Sequence, residues 1–403
     1  MLTYQEREHC NRCGFCLAAC PTYRETGVET QSPRGRLAMV AAAAAGDLPI
    51  TDRLATQLGH CLDCRACESA CPAGVRVAHH ILAARAQLAQ HHPQPFLKGL
   101  VLKHLLPRPA VLGGLAWATR LGQSLPVTAL LPSHLQHAQA LLPSPLPPPL
   151  RNSLPEVVPA KGPRKLRVGF FLGCVMNLAF AGVSRATVRV LSENGCEVVT
   201  PREQRCCGAP HESEGDEATL RALARQNIAA FEGRGIDLIV TDCAACGAAL
   251  KGYAELLGDG AGEFSAKVRD IAEFLTETPL EGELRPLPYR VAYHEPCHLV
   301  HAQKVSAQPK ALLRAIPGLK LVELPEATWC CGSAGSYVLT HPERSMQVLD
   351  RKMGNIAAAN AEVVATGNPG CLMQLGLGVK RHGLKVRIAH PVELLAEAYG
   401  ASS

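Results

Sequence analysis

Two segments of the chain repeat one cysteine spacing, and that spacing constrains more than any other feature what the chain can become. Cys10-x2-Cys13-x2-Cys16-x3-Cys20-Pro21 is matched by Cys61-x2-Cys64-x2-Cys67-x3-Cys71-Pro72. Three thiolates in so tight a loop reach three irons of one cubane. The fourth, just beyond them and before a proline, is turned toward the other cluster. The reading is two [4Fe–4S] clusters, one on Cys10, Cys13, Cys16 and Cys71 and the other on Cys20, Cys61, Cys64 and Cys67. Zinc also takes four thiolates, but a doubled eight-cysteine pattern ending twice in Cys-Pro argues against it.

Length and charge narrow the setting. At 403 residues the chain is too long for one ordinary core, so several domains are expected. The polar start, Met1–Arg7, leaves no room for a signal peptide before Cys10. The expected location is therefore the reducing cytoplasm, where 18 cysteines read as metal ligands rather than disulfides. There is no apolar run of membrane-spanning length. Aromatics at 4% and a net charge of +6 without a basic block speak against nucleic acid binding. The same charge is compatible with peripheral contact to an anionic inner membrane face or an acidic partner.

Four regions separate by composition: 1–92, rich in cysteine, Ala, Leu and Arg; 93–163, a Leu-, Pro- and base-rich connector ending in a stiff proline run; then 164–283 and 284–403. The last two read as copies of one unit. Each opens with a short strand pattern leading to a cysteine, Cys174 or Cys297. A helical stretch and a second strand ending near Cys206-Cys207-Gly208 or Cys330-Cys331-Gly332 follow, then a third strand. Such alternation predicts α/β layering with parallel strands, and ligands in such sheets sit beyond the strand carboxyl ends.

In the first copy Cys174, Cys206, Cys207, Cys243 and Cys246 converge as a candidate metal site, with Gly208 easing the turn that faces both adjacent cysteines inward. In the second copy Asn368 stands where Cys243 does, leaving Cys297, Cys330, Cys331 and Cys371 for a cluster, a zinc ion or nothing. His294 and His298 flank Cys297, and a hydrogen-bonding role is favoured for each. Cys196 falls outside every spacing and reads as a buried structural thiol. Connector stretches such as Phe96–Leu106 and Val111–Leu121 fit a membrane interface, although packing between domains is the favoured reading.

The 40 residues between Cys20 and Cys61 include Ser32-Pro33-Arg34-Gly35-Arg36 followed by alanines, a helix opening rather than a compact β-rich ferredoxin. This resembles the α-helical ferredoxin domain of succinate dehydrogenase and heterodisulfide reductase subunits. Arg34 and Arg36 either serve the clusters or are solvated. The repeated halves resemble the CCG cysteine-rich domain of heterodisulfide reductases, which can hold a non-cubane [4Fe–4S] cluster. The fold expected is thus α plus α/β: a helical ferredoxin domain, a helical Pro-rich connector and two repeated α/β CCG domains.

The whole chain resembles the iron–sulfur subunits of glycolate oxidase (glycolate dehydrogenase). The resemblance rests on His9-Cys10 through Thr22-Tyr23, on Ser32–Arg36, on Cys61–Glu68, on Pro107–Val111 and on Cys330–Tyr337 with the following Leu339–Pro342. It implies a relay without catalytic residues of its own, passing electrons from FAD-bearing flavoprotein subunits to a quinone or other acceptor as glycolate becomes glyoxylate. No Gly-x-Gly-x-x-Gly fingerprint follows a strand here, consistent with flavin on a partner. Iron–sulfur subunits of lactate or glycerol-3-phosphate dehydrogenases, and a disulfide reductase acting at a CCG cluster, are the alternatives.

Overall fold

The computed structural model describes residues 10–91, 99–123, 132–258 and 260–401. The polar start at Met1–Arg7, His9, and the Phe96–Lys98 end of the connector stretch lie outside the described residues.

The described N-terminal region is helical: α1 (Phe15–Ala19), α2 (Pro21–Thr26), α3 (Pro33–Ala45), α4 (Asp52–Gly59), α5 (Ala66–Ser69) and α6 (Val77–His91). Helix α3 begins as its sequence dictates, with the Ser32 hydroxyl accepting from the Gly35 amide and Pro33 in the first turn. Thr51 caps α4 in the same way, through the Leu54 amide. Val40, Ala43, Leu54, Leu58, Ala84 and Leu88 join α3, α4 and α6 in one small core. A second core of Leu37, Val75, Val77 and Ile81 carries Cys10, Cys61, Cys67 and Cys71 at its edge. The cysteine loops are thus held by a helical frame.

The connector forms a π-helical turn (Val101–Leu105), α7 (Pro109–Gln123) and α8 (Ser133–Leu141). Leu102, Ala116, Leu141, Leu146 and Leu150 are buried, with Leu141 in the second half's core and Leu150 in the first half's. Val111, Leu115, Trp117 and Leu121 are exposed. The connector therefore packs between domains along one side and leaves an apolar stripe of α7 facing solvent. Among the described residues, no helix is long and apolar enough to cross a membrane.

The first half builds a sheet in the order β1-β3-β2-β4-β5 from β1 (Val157–Val158), β2 (Leu166–Phe170), β3 (Cys196–Val199), β4 (Leu238–Thr241) and β5 (Val268–Asp270). Only the β1 edge runs antiparallel. Its helices are α9 (Cys174–Ala179), α10 (Ala181–Glu193), α11 (Ala209–Glu214), α12 (Glu217–Phe231), α13 (Ala244–Leu257), α14 (Gly262–Lys267) and α15 (Ile271–Glu277).

The second half repeats the parallel core as β7-β6-β8-β9, from β6 (Arg290–Tyr293), β7 (Lys320–Val322), β8 (Val363–Ala365) and β9 (Arg387–Ala389). Its helices are α16 (Ala307–Arg314), α17 (Tyr337–Thr340), α18 (Pro342–Ala359), α19 (Pro369–His382) and α20 (Pro391–Ala398). In each half the first parallel strand sits between the next two, so the winding reverses beside it. The crevice such a reversal opens lies beyond the strand carboxyl ends, where the cysteines fall.

The halves meet through α10 on α20 and α15 on α16, a pseudo-two-fold arrangement. One continuous core runs through both, joining Val168, Phe170 and Val240 to Val291, Leu313 and Val392. The N-terminal region lies across the pair, α6 against α11, α2 against α18, and α5 against the π-helical turn His298–Ala302.

Candidate metal centres

Two neighbouring cavities collect the N-terminal cysteines. Cys10, Cys13, Cys16 and Cys71 line one, over a floor of Val75 and Val77. Cys20, Cys61 and Cys64 line the other, and Cys67 stands on the wall of both. Each motif's last cysteine is thus delivered to the other motif's cavity. The loops achieve this with left-handed backbone just before the second cysteine, at Arg12 (φ 53°) and Asp63 (φ 49°). Burial pushes the Cys64 and Cys67 thiols well up, and neighbouring thiols add to it. Held as thiolates, sulfurs so close together would need a cation to balance them.

Arg34 lines the first cavity and Arg36 the second. Arg34 pairs with Glu29 at 2.7 Å and donates to the Arg12 carbonyl at 3.0 Å, closing the first loop. Arg36, 1% exposed, donates to Thr22 Oγ1 at 3.0 Å and to the Gln57 carbonyl at 3.3 Å. Both hold the cavity walls and bring positive charge to them.

In the first half the five thiols form one connected group. Cys174 donates to Cys206 at 3.7 Å, Cys207 follows Cys206 in the same turn, and Cys207, Cys243 and Cys246 pack in one core, where the Cys246 amide donates to the Cys243 sulfur at 3.3 Å. Thiol hydrogen bonds from Cys206 and Cys246 draw the Cys207 thiol down, whereas its bond to Cys206 and burial push Cys174 well up. Tyr253, a residue that carries no motif signal, donates to the Cys207 carbonyl at 2.8 Å and steadies the turn. Cys196 opens β3 and is 1% exposed, with its sulfur toward the Asn194 carbonyl at 3.9 Å and away from this group.

In the second half Cys331 and Cys371 lie 3.3 Å apart, Cys330 accepts from the Gly332 amide at 3.4 Å, and Cys297 packs against the cluster that holds Cys330. Asn368 is the residue before α19 as Cys243 is before α13. Its amide donates to Cys371 at 3.8 Å, while its oxygen accepts from the Ala245 amide at 3.1 Å and faces Cys243 at 4.0 Å. The substitution therefore stands between the two groups of thiols.

The two histidines part ways. His298 is a hydrogen-bonding residue: its Nδ1 is 3.5 Å from Cys297 and its Nε2 is 3.7 Å from Asp63 of the N-terminal loop. Burial works against its charge, but Cys297 and Asp63 together push it up to about 10. His294 does not follow the hydrogen-bonding expectation. It is 1% exposed, neither ring nitrogen has a hydrogen-bond partner, and it lies with Cys331 and Cys371 in a set whose ligand atoms are all within 4.8 Å of one another.

The N-terminal and second-half thiols also meet. Cys64 packs with Trp329, Cys330 and Tyr337 in one buried cluster, with Cys297 at its edge. A cleft of about 300 Å³ opens between α6 and α13, lined by Arg65, Glu68, Glu212, Tyr253 and Leu256 and bridged by the Arg76–Glu255 pair at 2.8 Å.

Comparison with known proteins agrees with this layout. Residues 6–75 match a 4Fe-4S dicluster domain family, and residues 168–251 and 291–376 each match the CCG cysteine-rich domain family. A probable glycolate oxidase iron-sulfur subunit of Bacillus subtilis (strain 168) is 39% identical over 419 residues, covering 97% of this chain and 94% of its own length. The glycolate oxidase iron-sulfur subunit of Escherichia coli (strain K12) is 33% identical over 94% of this chain and 92% of its own. The chain belongs to the glycolate oxidase iron–sulfur subunit family. Lactate utilization protein A of Geobacillus kaustophilus (strain HTA426), 32% identical, matches only 57% of this chain but 98% of itself. In this glycolate oxidase iron–sulfur subunit relative, the helical N-terminal region and two parallel-stranded CCG units supply an iron–sulfur, oxidoreductase-subunit framework.

Proposed function

We propose that this chain is the electron-relay subunit of a flavin-dependent glycolate dehydrogenase. It takes electrons from flavoprotein subunits and passes them to a quinone-type acceptor as glycolate is oxidised to glyoxylate. The proposed ligands are Cys10, Cys13, Cys16 and Cys71 for one [4Fe–4S] cluster, and Cys20, Cys61, Cys64 and Cys67 for the other. The observation that carries the reading is the pair of adjoining cysteine cavities with Cys67 on their common wall. Bound there, such clusters supply one-electron carriers at close quarters.

This chain's own residues do the holding and insulating. Leu37, Val75, Val77 and Ile81 exclude water from one side, and Arg34 and Arg36 offset thiolate charge. The flavin and the 2-hydroxy acid belong to partner chains in this reading. The cleft between α6 and α13 is of small-molecule size and adjoins both Glu68, next to Cys67, and Tyr253, bonded to Cys207. It supports an acceptor reaching the relay from this side.

A second reading has one specific observation in its favour. The five-thiol group of the first half is the full set expected of a CCG cluster that reduces disulfides. Two assays separate the readings. A relay copurifies with flavoprotein, supports glycolate-dependent dye reduction and is inactive alone. Consumption of a disulfide by the isolated chain with a chemical reductant, and no glycolate-dependent dye reduction in the complex, would replace the first reading by the second.

A further inference from the structure

The two halves differ at two positions that compensate one another. After β2 the chain continues into Phe171, whose amide donates to Val240 at 2.8 Å and whose ring joins the core. After β6 the equivalent residue is His294, its amide donating to Ala365 at 2.9 Å. The half with five thiols thus has a phenyl ring there. The half that has lost a thiol to Asn368 has an imidazole.

That imidazole is costly as it stands. It is 1% exposed with both nitrogens unpartnered, and a buried polar group without a partner is destabilising. The ligand atoms of His294, Cys331 and Cys371 are mutually within 4.8 Å, and Cys331 and Cys371 are already 3.3 Å apart. Donors about 2.0–2.3 Å from one tetrahedral ion lie at comparable separations. Cys330, the neighbour of Cys331 in the same loop and itself buried, can supply the fourth position.

Charge fits the same picture. Lys352, 0% exposed, donates its ammonium to the backbone carbonyls of Glu326 and Ala327 beside these thiols. A divalent ion with three thiolates carries one net negative charge, which one buried lysine offsets.

We propose that the second half holds a single tetrahedral metal ion of the zinc class on His294, Cys330, Cys331 and Cys371. This rests on reading these thiols as metal ligands but not on the N-terminal clusters. Three thiolates, an imidazole and no open position describe a structural, redox-inert centre. Its role is to rivet the loop that carries Cys330 beneath Cys64, so electrons leaving the N-terminal region have no redox stop in the second half.

The test uses the full chain, purified anaerobically, with zinc, iron and sulfide measured on one sample and EPR after reduction. The expected wild type holds about one zinc beside its iron. His294→Ala should lower zinc occupancy at least about tenfold, with the N-terminal EPR signals unchanged. His294→Cys should retain the metal and, after cobalt substitution, show stronger thiolate-to-cobalt absorption. Zinc X-ray absorption of the wild type covers the case in which the alanine variant does not fold, and a sulfur-plus-nitrogen shell is expected. A sulfur-only shell, zinc unaffected by His294→Ala, or a zinc-free wild type with a further iron–sulfur cluster would each overturn the proposal. Loss of the N-terminal EPR signals from wild type would instead count against the relay reading alone.

Discussion

Cys13 and Cys64 hold the same place in their motifs but not in the molecule. Cys13 is exposed, while Cys64 is buried against Trp329 and Cys330. Replacing either by serine should remove one cluster, about four irons per chain, and abolish glycolate-dependent dye reduction in the complex. Only Cys64→Ser should also lower the thermal midpoint clearly, since it leaves a hydroxyl in an apolar contact between domains. Full glycolate-to-quinone activity in either variant would end the relay assignment. Cys243 and Asn368 give a second comparison at this scale. They face one another at 4.0 Å across the seam, so Cys243→Asn makes the first half copy the second. It should alter the optical or EPR signature of any metal bound by Cys174, Cys206, Cys207 and Cys246. An unchanged spectrum would remove Cys243 from the ligand set.

At the scale of elements, the adjacent-cysteine turns show how a short motif dictates a backbone. Gly208 and Gly332 adopt φ of 87° and 89°, so neighbouring cysteines can face one centre. A methyl group on Gly208 would meet the far end of the Leu220 side chain at 2.4 Å, whereas one on Gly332 would meet the Ser345 carbonyl at 2.5 Å. Both alanine variants pay about 1–2 kcal/mol for left-handed backbone. Gly332→Ala should cost more, because a carbonyl in α18 cannot turn aside. Calorimetry on the two proteins tests the order, and an equal loss would mean that α18 shifts freely.

These turns, the crosswise cysteine pairs and the parallel strands were legible because each is written in local spacing. What was not legible is instructive. Strands β5 and β9 are three residues each, and no cysteine motif follows either to mark its place. The second strands end at Val199 and Val322, well before the cysteines they were expected to reach, because irregular loops carry the chain onward. Asp63, Lys352 and Tyr253 reach the thiol groups across domains or from the middle of amphipathic helices, and neither periodicity nor spacing reports such contacts.

At the scale of the whole molecule, the pseudo-two-fold seam between the halves carries more buried polarity than a simple core would. Asp270 caps α15 through the Ala272 amide, is 2% exposed, and leaves its second carboxylate oxygen without a partner. Burial pushes its carboxyl up to about 7, and Glu273 and Asp242 add to that while Lys251 opposes it. A carboxyl raised in the folded state holds a proton that the unfolded chain releases. Its contribution is harmless below the unfolded value near 3.8 and becomes a growing penalty as pH rises toward 7. Asn keeps the cap but cannot ionise. Asp270→Asn should therefore gain stability over wild type by a further 2–3 kcal/mol, on the order of two pH units of linkage, between pH 5 and pH 8. Parallel denaturation of both proteins across that range measures the gap. A constant gap would show that Asp270 is already ionised in the folded seam, with Lys251 as its counter-ion. A widening gap would identify the junction of the halves as a place where this molecule gives up stability at neutral pH to keep α15 capped against α16.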